Sequence, residues 1–63
     1  MPTNREAWTM GQMAAQHGLD VDTAAFIYGE RRDGVTGEQL EIFRDGYEGV
    51  NEDYAVGLDL AAA

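Results

Sequence analysis

The sequence has no cysteine, no lysine and no serine, a single histidine and only four cationic side chains, all arginine, in 63 residues. Without cysteine there is no disulfide framework, and His17 standing alone leaves no ligand set for zinc. The lack of cysteine also fits a reducing compartment. Without serine, cysteine or lysine the usual covalent nucleophiles are missing, and His17 has no nucleophile to form a triad with. Paired carboxylates serve glycoside hydrolysis only across a shielded cleft, which so short a chain is poorly able to build. A non-catalytic protein is expected, without metal or cofactor. No apolar run is long enough to span a bilayer, and the N-terminus lacks the basic region and apolar core of a signal peptide, so a cytoplasmic protein without membrane contact is expected. Asp20 and Asp22 start like a calcium loop, but Ala25 stands where the loop needs glycine and Arg31 where it needs a bidentate glutamate. The eight glycines form no phosphate-cradling pattern.

What the chain has in abundance is negative charge. Twelve Asp and Glu against four Arg give a formal net charge of −8. Such a surface repels phosphate backbones and anionic membranes, which argues against direct nucleic-acid binding and implies a basic partner. Adaptation to high salt is the competing explanation of the same composition. Aromatic and large aliphatic residues are too plentiful for a disordered acidic tail. The length allows one domain, residues 1–63, burying only about 60% of its unfolded surface, so the isolated fold is marginal and a homodimer would compensate.

Taken in order, the chain predicts an all-α fold, a small bundle of three to four short helices. Thr3 and Glu6 read as a capping box. The helix behind them presents Ala7, Trp8, Gly11, Ala14 and Ala15, with Met10 and Met13 on the flanks, and stops at Gly18 with His17 in its last turn. Asp20 or Asp22 caps a second helix over residues 23–31. The apolar run Ala24, Ala25, Phe26, Ile27 and Tyr28 is also compatible with a short buried strand near 24–28. Arg31 and Arg32 are expected to pair with nearby carboxylates. Thr36 with Gln39 repeats the capping chemistry, and Val35 can staple onto Leu40. Gly46 and Gly49 each disfavour helix by about 1 kcal/mol, which predicts a break near 46–50, so that any stripe running through this stretch continues across two helices, bent but not abolished. Asn51 then caps a last helix to about Leu60 with Tyr54, Ala55, Leu58 and Leu60 inward, and Ala61 to Ala63 are expected to fray.

Two stripes organise residues 35–54. Glu38, Glu41, Asp45, Glu48 and Glu52 are spaced by three, four, three and four, and Leu40, Phe43, Tyr47, Val50 and Tyr54 repeat those steps two residues later. Each set keeps to one side of a helix, the acidic one about 120° from the apolar one. Successive carboxylates rise about 4.5 to 6 Å, close to the roughly 7 Å between phosphates along a DNA strand. Glu38, Glu41, Asp45, Glu48, Glu52 and Asp53 are therefore candidate partner-binding residues, with Ile42 beside the row as an apolar contact if it lies outside the core. Taken alone, an acidic stripe is also what any solvated amphipathic helix displays.

Residues 24–60 resemble the C-terminal part of the ArdA-type antirestriction proteins, in which an acidic helix ends in F-x-x-x-Y-x-G before an acidic turn and D-[FY]-A. Phe43, Tyr47 and Gly49, then Asp53, Tyr54 and Ala55, carry the resemblance. Family members are several domains long, have a longer segment than the one between Gly49 and Asp53, and commonly hold an aromatic where Val50 stands. The resemblance implies a plasmid- or phage-borne inhibitor that occupies the basic DNA-binding groove of a type I restriction enzyme with carboxylates in place of phosphates. A CRISPR effector or another nuclease offers a similar groove. The alternative is a non-catalytic interaction or regulatory module whose acidity serves solubility or salt adaptation.

Overall fold

In a computed structural model, residues 2–27 and 37–63 are described and form four helices, with no strand among them. The first, α1 (Asn4–Gln16), begins as its local sequence requires. Thr3 Oγ1 accepts from the Glu6 amide at 3.1 Å, and Glu6 Oε1 accepts from the Thr3 amide at 2.9 Å. It ends in a reversal at Gly18, whose φ of +72° favours glycine. There the Gly18 amide donates to Ala15 O and the Leu19 amide to Ala14 O, satisfying carbonyls that the helix end leaves open.

Asp20 is the cap of α2 (Val21–Ala25), its carboxylate accepting from the amides of Asp22 and Thr23. The helix therefore starts at Val21, two residues before the expected Thr23, and Phe26 and Ile27 continue it in a wider π turn. That excludes the strand alternative over residues 24–27: an acidic cap satisfies two amides at once, and a helix propagates from it. Tyr28, the expected helix end and Arg31, Arg32, Val35 and Thr36 lie outside the described residues.

Gly37 and Glu38 lead into α3 (Gln39–Glu48), and Asn51 precedes α4 (Glu52–Ala62). Gln39 does not serve as a capping partner for its own helix. Its Nε2 donates to Pro2 O at 2.8 Å and to Asn4 Oδ1 at 3.3 Å, tying the start of α3 to that of α1. The break expected near 46–50 falls at Gly49: α3 continues through Gly46 to Glu48 and reverses at Gly49 (φ +76°).

The reason for Gly46 lies in the packing of α1 on α3. Ala7, Trp8, Gly11 and Ala14 are the buried face of α1, and Gln39, Ile42, Phe43 and Gly46 that of α3. A Cβ on Gly11 would overlap the Phe43 carbonyl and lie 2.7 Å from the Tyr47 nitrogen. A Cβ on Gly46 would overlap the Trp8 carbonyl. Each helix thus presses its backbone against the other's glycine, and this close approach offsets the intrinsic penalty of glycine in a helix.

The core is small: Phe43 is the one large side chain fully enclosed among the described residues, joined by Trp8, Ile42 and the alanines 7, 14, 24 and 55. Two partly buried hydrogen bonds tie it to the turns. Trp8 Nε1 donates to Val50 O and Tyr47 Oη to Leu19 O, both at 2.6 Å. Trp8→Phe keeps most of the apolar volume and removes the first bond; we expect a loss of about 1 kcal/mol in chemical denaturation, read as a lower midpoint at unchanged slope.

The apolar stripe of residues 40–54 is not continuous with this core. Leu40, Phe43 and Tyr47 pack into it, but Val50 is 45% and Tyr54 61% exposed, and Leu60, also expected inward, is 73% exposed. The reversal at Gly49 and the left-handed Asn51 (φ 61°) rotate α4 relative to α3, so Ala55 and Leu58 are the residues of α4 that face the core. Asn51 holds the cap position through this backbone conformation, without a hydrogen bond from its side chain. Helix α4 runs on to Ala62 where fraying was expected, with Ala61 and Ala62 exposed. No described helix is long and apolar enough to cross a membrane.

Candidate partner-binding surface

Glu38, Glu41, Asp45 and Glu48 rise along one side of α3, opposite the packed residues Phe43 and Gly46, at the spacing that keeps them on one face. From Glu38 to Glu48 the row covers about 15 Å at 1.5 Å per residue. Glu38, Glu41 and Glu48 are exposed and Asp45 is half-buried. Among the described residues no cation pairs with any of the four. Arg44, which shares their helix, turns to Asp22 at 3.1 Å instead.

Past Gly49 the row does not continue straight. Glu52 belongs to α4 and pairs with Arg5 of α1 at 3.4 Å, an exposed and therefore weak interaction. Asp53, its neighbour, is exposed and unpaired among the described residues. Of the seven candidate residues, six carry carboxylates, and five of those have no cationic partner among the described residues. The seventh, Ile42, is 6% exposed and belongs to the core, so it is not a free apolar contact beside the row. Its wheel position puts it between the acidic face and Phe43, at the edge of the buried side of the helix.

Three of these carboxylates also border a depression. A groove of about 1000 Å³ runs between α3 and α4, with Glu38, Glu41 and Asp45 on one wall and Tyr54 and Leu58 on the other. Ile42 and Gln39 line it between the walls, and Asn4 and Asn51 add polar groups. Glu48, Glu52 and Asp53 stand outside it. No three His, Asp or Glu side chains among the described residues converge closely enough to hold a metal ion. The carboxylates are therefore spaced along a surface rather than gathered at a point.

Two acidic residues outside the row have structural work that local sequence reading finds only in part. Glu6 closes the capping box, and the Thr3 amide, followed by the Thr3 hydroxyl, holds its carboxyl below the ordinary value of 4.5. Asp59 reaches from α4 to the start of α1, accepting from the amides of Asn4 and Arg5 at 2.9 Å each. Those bonds, Arg5 first, hold it below the ordinary 3.8. It caps a helix 55 residues earlier in the chain, so no local pattern could reveal it; the only signal is an acid on the inner side of the last helix. Because both pKa values are lowered by folding, these groups stabilise the protein above their unfolded values and lose that contribution as pH falls through the folded ones. Asp59→Asn should lower the melting temperature at pH 7, and the gap to the parent should narrow at a pH below 3.8. A gap independent of pH would show that the charge of Asp59 contributes nothing.

Comparison of the chain with protein-family models, with curated proteins and with solved structures finds no match.

Proposed function

We propose that this protein is a non-enzymatic, acidic inhibitor that occupies the basic DNA-binding groove of a host defence enzyme, with a type I restriction enzyme favoured over a CRISPR effector or another nuclease. The observation that carries the reading is the row Glu38, Glu41, Asp45 and Glu48 on one helix face, extended at the corner by Asp53 and without a cationic partner among the described residues, where Arg5 and Arg44 pair elsewhere. Fixed carboxylates at this spacing attract the Lys and Arg that a DNA-binding groove arrays for phosphates, and they take up the electrostatic attraction DNA would otherwise use. The resemblance of residues 24–60 to the ArdA-type proteins supports the same reading.

Size limits what one copy can do. The longest dimension is 31 Å, about four phosphate steps of roughly 7 Å. A homodimer would lengthen the row, and a partner with a short basic groove would need only one copy. The test is displacement: the protein is added to a type I restriction complex, and separately to a CRISPR effector, each bound to labelled duplex. DNA-binding proteins captured from host lysate are treated in the same way. Release of duplex from any of them, reversed by excess DNA, is the expected result; no release from all of them would overturn the reading.

A second reading, an interaction module engaging an apolar partner, draws on the exposure of Met13, Phe26, Val50, Tyr54 and Leu60. Partner binding insensitive to salt would select it.

A further inference from the structure

The groove between α3 and α4 contains a feature that charge alone does not explain. Gln39 is 6% exposed, and its Oε1 is buried without a hydrogen-bond partner. The orientation of the amide is set by its other end, since Nε2 faces two acceptors, Pro2 O and Asn4 Oδ1. Flipping it would place oxygen against oxygen. A buried acceptor with no donor is uncommon and unfavourable. This one belongs to a residue that lines the groove, beneath a wall carrying Glu38, Glu41 and Asp45 and opposite the exposed ring of Tyr54.

The groove thus offers acceptors, an aromatic face and no cation among the described residues. We infer that it takes an arginine side chain of the basic partner, its guanidinium lying between the Tyr54 ring and the α3 carboxylates and donating to Gln39 Oε1. This rests on the proposed binding of a basic groove and adds to it the identity of the recognised group. Planar guanidinium carries five N–H donors spread over a fork, stacks on aromatic rings and is weakly hydrated, which suits acceptors that stand apart. A lysine ammonium is a compact, strongly hydrated charge that can meet one carboxylate but not the ring, the row and the buried oxygen together. A metal ion needs converging ligands, which the described residues do not provide. Contact with Oε1 requires a small shift of the atoms covering it, and that shift is the signature to be sought.

The probes are two blocked five-residue peptides, one with two arginines and one with two lysines at the same positions, titrated into the full chain by amide-resolved NMR. The arginine peptide should bind at least about fivefold tighter, moving the Gln39 side-chain amide resonances. Tyr54→Ala, at an exposed position outside the core, should erase the preference while weak charge-driven binding remains. Equal affinities with an unchanged response in Tyr54→Ala would overturn this inference and leave the electrostatic reading standing. Absence of binding by either peptide would overturn both. Movement of the groove amides on concentrating the protein alone, with no peptide, would assign the groove to a second copy and overturn the arginine proposal.

Discussion

Alanine at Gly11 or Gly46 is expected to destabilise the domain severely, although alanine is the better helix former at both positions. Intrinsic preference favours the substitution by about 1 kcal/mol. Against it stands a methyl placed on the opposing helix's backbone, at the Phe43 carbonyl and Tyr47 nitrogen for Gly11 and at the Trp8 carbonyl for Gly46. Backbone cannot turn aside as a side chain does, so α1 and α3 must separate and the contacts of Trp8 and Phe43 loosen together. Overpacking typically costs about 1–3 kcal/mol and sometimes more; with no rotamer to relieve it, a net loss of about 2 kcal/mol or more follows. Global stability near 0.05–0.15 kcal/mol per residue gives roughly 3–9 kcal/mol for this chain, so melting should fall by about 10 °C or more. Gly57→Ala is the internal control. It lies inside α4 with nothing within 4 Å of the added methyl, and it should stabilise by about 0.5–1 kcal/mol. Thermal melts followed by circular dichroism give both signs. A Gly11→Ala variant as stable as its parent would contradict the crossing.

The second large effect is on binding. Converting Glu41→Gln, Asp45→Asn and Glu48→Gln together brings the net charge from −8 to −5 and removes no hydrogen bond or ion pair among the described residues. Helix content and melting temperature should hold or rise, because like charges on one face repel. Affinity for the displaced enzyme should fall by roughly tenfold to a hundredfold, taking up to about 1 kcal/mol for each exposed pair lost. The salt dependence of what remains should flatten, since fewer counterions are exchanged. Undiminished affinity and an unchanged salt slope would transfer the proposal to the apolar surface. Asp59→Asn is the complementary case, removing a charge with a structural role: stability falls and partner binding stays, because Asp59 faces α1 and is not part of the row.

Much of the helical skeleton was written locally. Thr3 with Glu6, Asp20, Gly18 and Gly49 act within one turn of their own position, and each appears in the structure in the expected role. The acidic row bends into α4 at Glu52, as the break near 46–50 implies, and the apolar stripe loses Val50 and Tyr54 to the surface for the same reason. Periodicity carries phase along a helix axis, and the reversal at Gly49 with the left-handed Asn51 ends that axis. Propensity alone cannot tell which glycine of the 46–50 stretch ends the helix, because it is a local quantity: Gly49 ends it, whereas the place of Gly46 is set by Trp8 on another helix. Ile42 stays open between surface and core in the sequence because a position on the border of two faces is assigned by whatever packs across it, and here the core takes it.

By itself, then, the sequence determined the all-α class, the beginnings and ends of its best-capped helices, and the exposed acidic face of residues 38–48, since each depends on groups a few residues apart. Only the tertiary arrangement decided that Gly11 meets the backbone of Phe43 and Gly46 that of Trp8, that Asp59 caps α1, that Arg5 engages Glu52, and that Gln39, lining an acidic groove, keeps a buried oxygen without a donor. These depend on where one helix axis lies relative to another, which is fixed by the summed packing of a small core and left no mark in any single stretch of chain.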